Sequence, residues 1–239
     1  MDPLLALFAA AVGYLCGAIS FARLVSKIVA PQKDITRTEI GVASTEEKVI
    51  MSAVSATTVS VHLGSKFGFM TVVLDMLKIT IPTLVFKHRY AESYFLISAA
   101  AGMVGHIWPV YHGFQGGRGL SAVYGGMFAI DWIGVFVTSI GGMVLGLVVI
   151  RDVLVAYVGG LWLLIPWLWF RTHDVAHVIY AVAVNIVFLL AMIPEMKQYL
   201  RLRREGKGDD LAEVMQLTGM GRGIHKMAKR FGLIKDDTN

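Results

Sequence analysis

The residues best suited to chemistry lie in Gly105–Ser121, reading GHIWPVYHGFQGGRGLS. Gly116, Gly117 and Gly119 can turn successive backbone N–H groups toward one point, the kind of concavity that holds an anion. Arg118 sits inside that turn and adds a planar, forked donor suited to phosphate. His106 and His112 bracket Trp108-Pro109, and Pro109 must end or kink the preceding helix. His106 could bond a phosphate oxygen or orient the loop; His112 reads better as a cap on free carbonyls. Ser121 follows the turn as a further hydroxyl candidate. On pattern alone a plain glycine-rich turn with a topology-setting arginine is equally open. The later Lys-Ser/Thr of a Walker motif is missing.

A second anion position is open in the first polar loop. Arg23 and Arg37 can clamp a phosphate there, with Ser20 or Ser26 giving a hydroxyl. The plainer reading of Arg23 and Lys27 is a snorkelling pair at a helix end. Asp75 and Lys78, i and i+3 within an apolar run, can neutralise each other in a membrane and are either functional or a structural ion pair. His173 and His177 have the spacing of two metal ligands on one helix face. No third ligand accompanies them, so no metal or other cofactor is expected. No histidine has an aspartate five positions later, which removes the His-x4-Asp signature of one large class of glycerolipid acyltransferases.

The elements that position these residues belong to a membrane. Of 239 residues 56% are apolar and 16% charged, against about 25% charged in a soluble domain. Apolar runs near the bilayer-crossing length of roughly 20 residues recur along the chain. The expected fold is an all-α membrane protein, a seven-span helical bundle. Its spans are Leu4–Val25, Phe67–Phe86, Tyr94–Tyr111, Leu120–Ile130, Trp132–Ile150, Val153–Phe170 and Val175–Ile193. The fourth is too short to cross alone: it tilts, begins within the glycine turn, or is partly re-entrant. Met1–Ala30 lacks the basic start of a signal peptide and reads as a span. Cys16 lies inside it, so no disulfide framework is expected.

Lys and Arg set the orientation. With the N-terminus outside, Lys27, Lys33, Arg37, Lys48, Lys66, Arg118 and Arg151 fall on inner loops; only Lys87, Arg89 and Arg171 fall outside. The glycine turn and the C-terminus are then cytoplasmic. Residues 196–239 form a basic cytoplasmic tail, by the plainer reading a positive-inside anchor with no other job, though it could also attract anionic headgroups at about 1 kcal/mol per charge. Topology accounts for the net charge of +5, so nucleic acid is not an expected partner.

Together these features resemble the acyl-phosphate-dependent glycerol-3-phosphate acyltransferase (PlsY) family. Gly105-His106, Pro109-Val110 and Phe114–Gly119 are similar to its GH-x-FP…FKGGKG segment, with Arg118 at the lysine. Tyr14-Leu15, Gly17, Ile19 and Phe21, then Asp34-Ile35 and Arg37, resemble YLLGSIPF…DIR. Leu63–Gly68 and Leu74–Lys78 resemble LGKKAG…LLDLLK. Ala18 stands at the family's serine, and Ser20 at its proline. Ser55–Thr58 is the nearest counterpart of its GSGNIGATN stretch, after about ten extra residues around Gly41–Lys48. Of the late HRxNIxRLLxGxE pattern, Glu195, Gln198 and Arg201 take the histidine, asparagine and arginine places.

The resemblance implies an acyltransferase domain over residues 1–195 in a multi-pass cell-membrane protein, acting as a monomer. It implies transfer from a fatty acyl phosphate to glycerol 3-phosphate, giving lysophosphatidic acid for phospholipid synthesis. Arg118 with Gly116, Gly117 and Gly119 would hold one phosphate and Arg37 the other, with His106, Ser20 and Ser121 lining the site. A second reading stays open: a catalytically impaired relative that binds lipid or supports a membrane partner.

Overall fold

A computed structural model describes residues 1–36, 38–41, 48–51, 53–90, 93–150 and 153–204. Helices dominate: α1 Pro3–Gly17, α2 Phe21–Val29, α3 Ala56–Leu63, α4 Ser65–Arg89, α5 Tyr94–Ile107, α6 Leu120–Ile130, α7 Trp132–Val144, α8 Val153–Thr172 and α9 Val175–Arg204. Each of the seven expected apolar runs is mainly helical, the first broken after Gly17 and the third ending its α-helix at Ile107 instead of Tyr111. Among the described residues, Pro3–Val29, Ser65–Arg89, Trp132–Ile150 and Val175–Pro194 are long and apolar enough to cross a membrane. The 14 residues of α5 span only about 21 Å, and the 11 of α6 about 16 Å.

The first run differs from the single span expected. Asp2 caps α1 by accepting the Leu4 N–H at 2.8 Å, with Pro3 at the first helical position. The helix stops at Gly17, and Ser20 starts α2 as its N-cap, facing the Arg23 amide at 3.5 Å. An apolar run of this kind signals no break, and the partner of the freed carbonyl lies elsewhere in the chain. Lys78 Nζ donates to the freed Ile19 carbonyl at 2.6 Å.

Small residues set the seam that carries the site. A side chain on Gly13 would strike the Ser98 carbonyl, one on Gly17 the Gly102 carbonyl, and one on Gly105 the Tyr14 carbonyl. The α1 and α5 backbones therefore approach as closely as small-residue membrane helices do. This brings Gly105-His106 against the α1–α2 break. Fully buried Ile79 of α4, Met103 of α5, Met127 of α6, Leu164 of α8 and Phe188 of α9 share one core.

The all-α expectation needs one correction. Thr38–Gly41 and Lys48–Met51 pair as an antiparallel hairpin, Thr38 opposite Met51 and Gly41 opposite Lys48. The strands flank the extra residues expected around Gly41–Lys48, and Ile40, Val49 and Ile50 have the β-branching that favours strands. Thr38 is buried, with its hydroxyl 3.0 Å from His62 Nε2 at the end of α3. Residues 205–239, most of the basic tail, lie outside the described residues, and α9 runs unbroken past residue 195.

Candidate active site

Pro109 ends the helical path of α5 and leaves carbonyls of its last turn without helical partners. The glycine turn returns to supply them. Gly117 N–H donates to His106 O and Gly116 N–H to Ile107 O, each at 3.1 Å. Gly113 and Phe114 reverse the chain in left-handed conformations, φ 59° and 62°. A side chain on Gly116 would strike the His106 carbonyl, and one on Gly117 the His106 ring. Glycine is required at both positions by this close return.

The same bonds correct the expected cradle. The Gly116 and Gly117 amides already donate to backbone carbonyls, so they shape the turn and do not line up for an anion. The available donors lie further on. Gly119, at φ 95°, is the N-cap of α6 and provides no side-chain cap. The first amides of α6, from Leu120 and Ser121, precede the first i→i−4 bond, Val123 N–H to Gly119 O. They carry the positive end of the helix dipole.

A cleft of about 290 Å³ opens at this point. Arg118, half-buried, lines it with Gly119, Leu120, Ser121 and His106. The opposite wall is the start of α3: Ser55, Ala56 and Thr57. Two helix N-termini thus share one cleft with an arginine. Thr58 Oγ1 accepts the Ser55 N–H at 3.0 Å and donates to Ser55 O at 2.7 Å. The pair stands in capping-box positions, yet the buried Ser55 hydroxyl makes no formed cap bond. Away from these groups the cleft is apolar, walled by Val72, Met76 and Val135.

His106 is buried between this cleft and a second cavity of about 10 Å³, the room of one water. Ser20, Asp75, Lys78 and Gly117 line the small cavity. Asp75 Oδ1 pairs with Lys78 Nζ at 2.8 Å and lies 3.6 Å from His106 Nδ1. The expected i, i+3 pair is therefore formed, and it faces the site. Arg23 bridges outward, donating to the Gln115 carbonyl at 2.8 Å. Val54 N–H donates to Gly116 O at 2.9 Å, which ties the return from the hairpin to the turn.

The structure thus brings His106, Arg118, Gly119 and Ser121 to one cleft and puts Ser20 behind His106. Arg37 lies outside the described residues, and so do the side chains of Glu195, Gln198 and Arg201. Asp34 is held below the usual carboxylate range by the Thr36 amide, 2.8 Å, and then by the Thr36 hydroxyl, 2.7 Å. His112 is held below its ordinary value by partial burial first, then by the positive charges of Arg23 and Lys78. The late histidines have other contacts: His177 Nδ1 is 2.7 Å from Asp174, and His173 stands edge-on to Trp169. Missed from sequence reasoning as lining were Tyr124, Val135 and Ser139, which carry no local signal and meet the cleft only through packing.

Helices of membrane-crossing length, with a cleft lined by an arginine, two helix starts and apolar side chains, define an integral membrane protein. The glycerol-3-phosphate acyltransferase family model matches residues 7–203, and the chain belongs to that family. It is 31% identical over 143 residues to the glycerol-3-phosphate acyltransferase of Aquifex aeolicus, covering 55% of this chain and 68% of that protein. With the Desulfotalea psychrophila enzyme of the same name it shares 32% over 119 residues, 48% of this chain and 54% of that one. The chain thus spans between about half and two thirds of the length of these relatives. The fold matches crystalline PlsY, an integral membrane glycerol 3-phosphate acyltransferase in its glycerol 3-phosphate form. The TM-score is 0.64 at 22% identity, over 84% of this chain and 93% of that one.

Proposed function

We propose that this chain transfers the acyl group of a fatty acyl phosphate to the primary hydroxyl of glycerol 3-phosphate. The observation that carries the reading is the single cleft in which Arg118 and the starts of α3 and α6 stand beside an apolar wall. An acyl phosphate has both parts, a dianionic head and a greasy tail. The acceptor oxygen bonds to the acyl carbon, the acyl–oxygen bond to phosphate breaks, and the hydroxyl proton ends on the departing phosphate. A mixed anhydride is already activated, so alignment of the hydroxyl and stabilisation of the leaving phosphate can supply most of the acceleration.

In this reading Arg118 and the Leu120 and Ser121 amides hold the donor phosphate. Arg37 clamps the acceptor's phosphate, and Ser20 gives a hydroxyl. The acyl chain lies along Val72, Met76 and Val135 and enters from lipid. The chain crosses the membrane seven times as a monomer, N-terminus outside, with the turn and basic tail cytoplasmic; the asymmetry of Lys and Arg supports this.

One observation favours a second reading. Ala18, fully buried, presents only a methyl to the small cavity, where the resemblance has a serine. A relative that binds the amphiphile without turning it over, or supports a membrane partner, would tolerate that change. Purified protein given palmitoyl phosphate and glycerol 3-phosphate separates the two. Lysophosphatidic acid with equimolar phosphate supports the transferase; a phosphate-dependent thermal shift with no product supports the binder.

A further inference from the structure

Three residues, Lys78, Asp75 and His106, join the α1–α2 break to the glycine turn through the protein interior. Lys78 Nζ donates to Ile19 O at 2.6 Å and pairs with Asp75 at 2.8 Å. Asp75 faces the His106 ring, and the His106 carbonyl accepts the Gly117 amide at 3.1 Å. Asp75, Lys78 and His106 are all buried. Two charges in such a place are costly, and well-packed apolar residues of similar volume would serve stability as well or better. The pair also sits at the boundary between the Ser20 side of the site and the Arg118 side, lining the small cavity that separates them. A structural ion pair has no need of that address.

We propose that Asp75 and Lys78 are a positioning pair that fixes the distance between the two phosphate-holding halves of the site, acting through the Ile19 carbonyl and His106. The proposal rests on the transferase reading above. Neither residue touches substrate. Lys78 holds the carbonyl freed where α1 stops, so it sets where α2 and Ser20 begin. Asp75 pairs with Lys78 on one side and packs against the His106 ring, 3.6 Å away, on the other, and that ring is the surface on which Gly117 closes. With the pair removed each half keeps its own donors, so each substrate still binds, but the hydroxyl and the acyl carbon lose their alignment. Misplacement by about 1 Å can cost on the order of 100-fold in rate.

The test compares Asp75→Asn, Lys78→Met and the double variant Asp75→Leu/Lys78→Met with wild type in detergent or nanodiscs. The double variant removes both charges and is expected to keep the wild-type thermal midpoint. It should nevertheless lose at least about 10-fold in kcat, with KM for both substrates within about 2-fold. A double variant with wild-type kcat, or losses that simply follow the thermal midpoint across all three, would overturn the proposal. A second readout does not need turnover: nitroxides at exposed Leu24 and Phe114, in a Cys16→Ala background, report the spacing of α2 from the turn. The pair variants should broaden or lengthen that spacing, and an unchanged spectrum refutes the proposal. Wild type without product would defeat the transferase reading alone, and the label spacing would still decide this one. Asp75→Asn, which keeps the side-chain shape, carries both readouts if the double variant does not accumulate.

Discussion

The His106 ring occupies the space that a side chain on Gly117 would need, while the His106 carbonyl receives the Gly117 amide at 3.1 Å. One residue thus closes the glycine turn with its backbone and lines the cleft with its ring. Gly117→Ala must displace the ring or open the turn. Overpacking of this kind costs about 1–3 kcal/mol. We expect a lower thermal midpoint together with a loss of product formation of roughly tenfold or more. An alanine variant with wild-type turnover would show that the ring's position is immaterial.

Arg118 should matter through charge and fork geometry together. Removing one charge-assisted hydrogen bond to phosphate costs about 1.5–3 kcal/mol, or roughly 10- to 150-fold in kcat/KM. Arg118→Ala should fall in that range, with Arg118→Lys intermediate because a single ammonium cannot bond bidentately. Steady-state kinetics with varied acyl phosphate measures both. Equal kcat/KM for wild type and Arg118→Ala would remove the residue from the site.

The seam between α1 and α5 should tolerate no side chain. Gly17→Val would drive its Cβ into the Gly102 carbonyl, a backbone atom that cannot rotate away. The loss is expected to be at least about 1–3 kcal/mol, read as a lower midpoint of thermal unfolding in detergent. An unchanged midpoint would contradict the close approach of these helices.

His112 makes the turn sensitive to mild acid. Its folded-state pKa lies below the ordinary 6.5, from partial burial first and then from Arg23 and Lys78. Between the folded and unfolded values the unfolded chain binds more protons, so stability rises with pH through that window. The neutral imidazole's contribution is therefore complete above about pH 6.5 and fades as pH falls through the lower folded value. His112→Gln should flatten this part of the stability profile between about pH 7 and 5. A slope identical to wild type would assign the dependence to another group.

Much of the site was legible because its signals are local. Pro109 foretold the end of α5, the glycines foretold a tight return, and Leu120–Ile130 has the bounds expected for the short apolar segment. That segment begins at the glycine turn, one of the possibilities left open for it, and buries Ala122, Val123 and Met127. What local signals could not give were partners distant in the chain. Gly116 and Gly117 read as anion donors because their bonds to Ile107 and His106 depend on how far the loop folds back. The carbonyl freed by the break after Gly17 is met by Lys78, some sixty positions away. Ser55–Thr58 was recognisable only as the counterpart of a family motif, and its place across the cleft from Arg118 comes from the packing of α3 on α4.

The most direct measurement is an experimental structure of the protein with a hydrolysis-resistant acyl phosphonate bound. The account predicts the phosphonate head within hydrogen-bonding reach of the Arg118 guanidinium and the Leu120 and Ser121 amides, with its chain along Val72, Met76 and Val135. A head group seated elsewhere, with Arg118 turned away from it, would contradict the account.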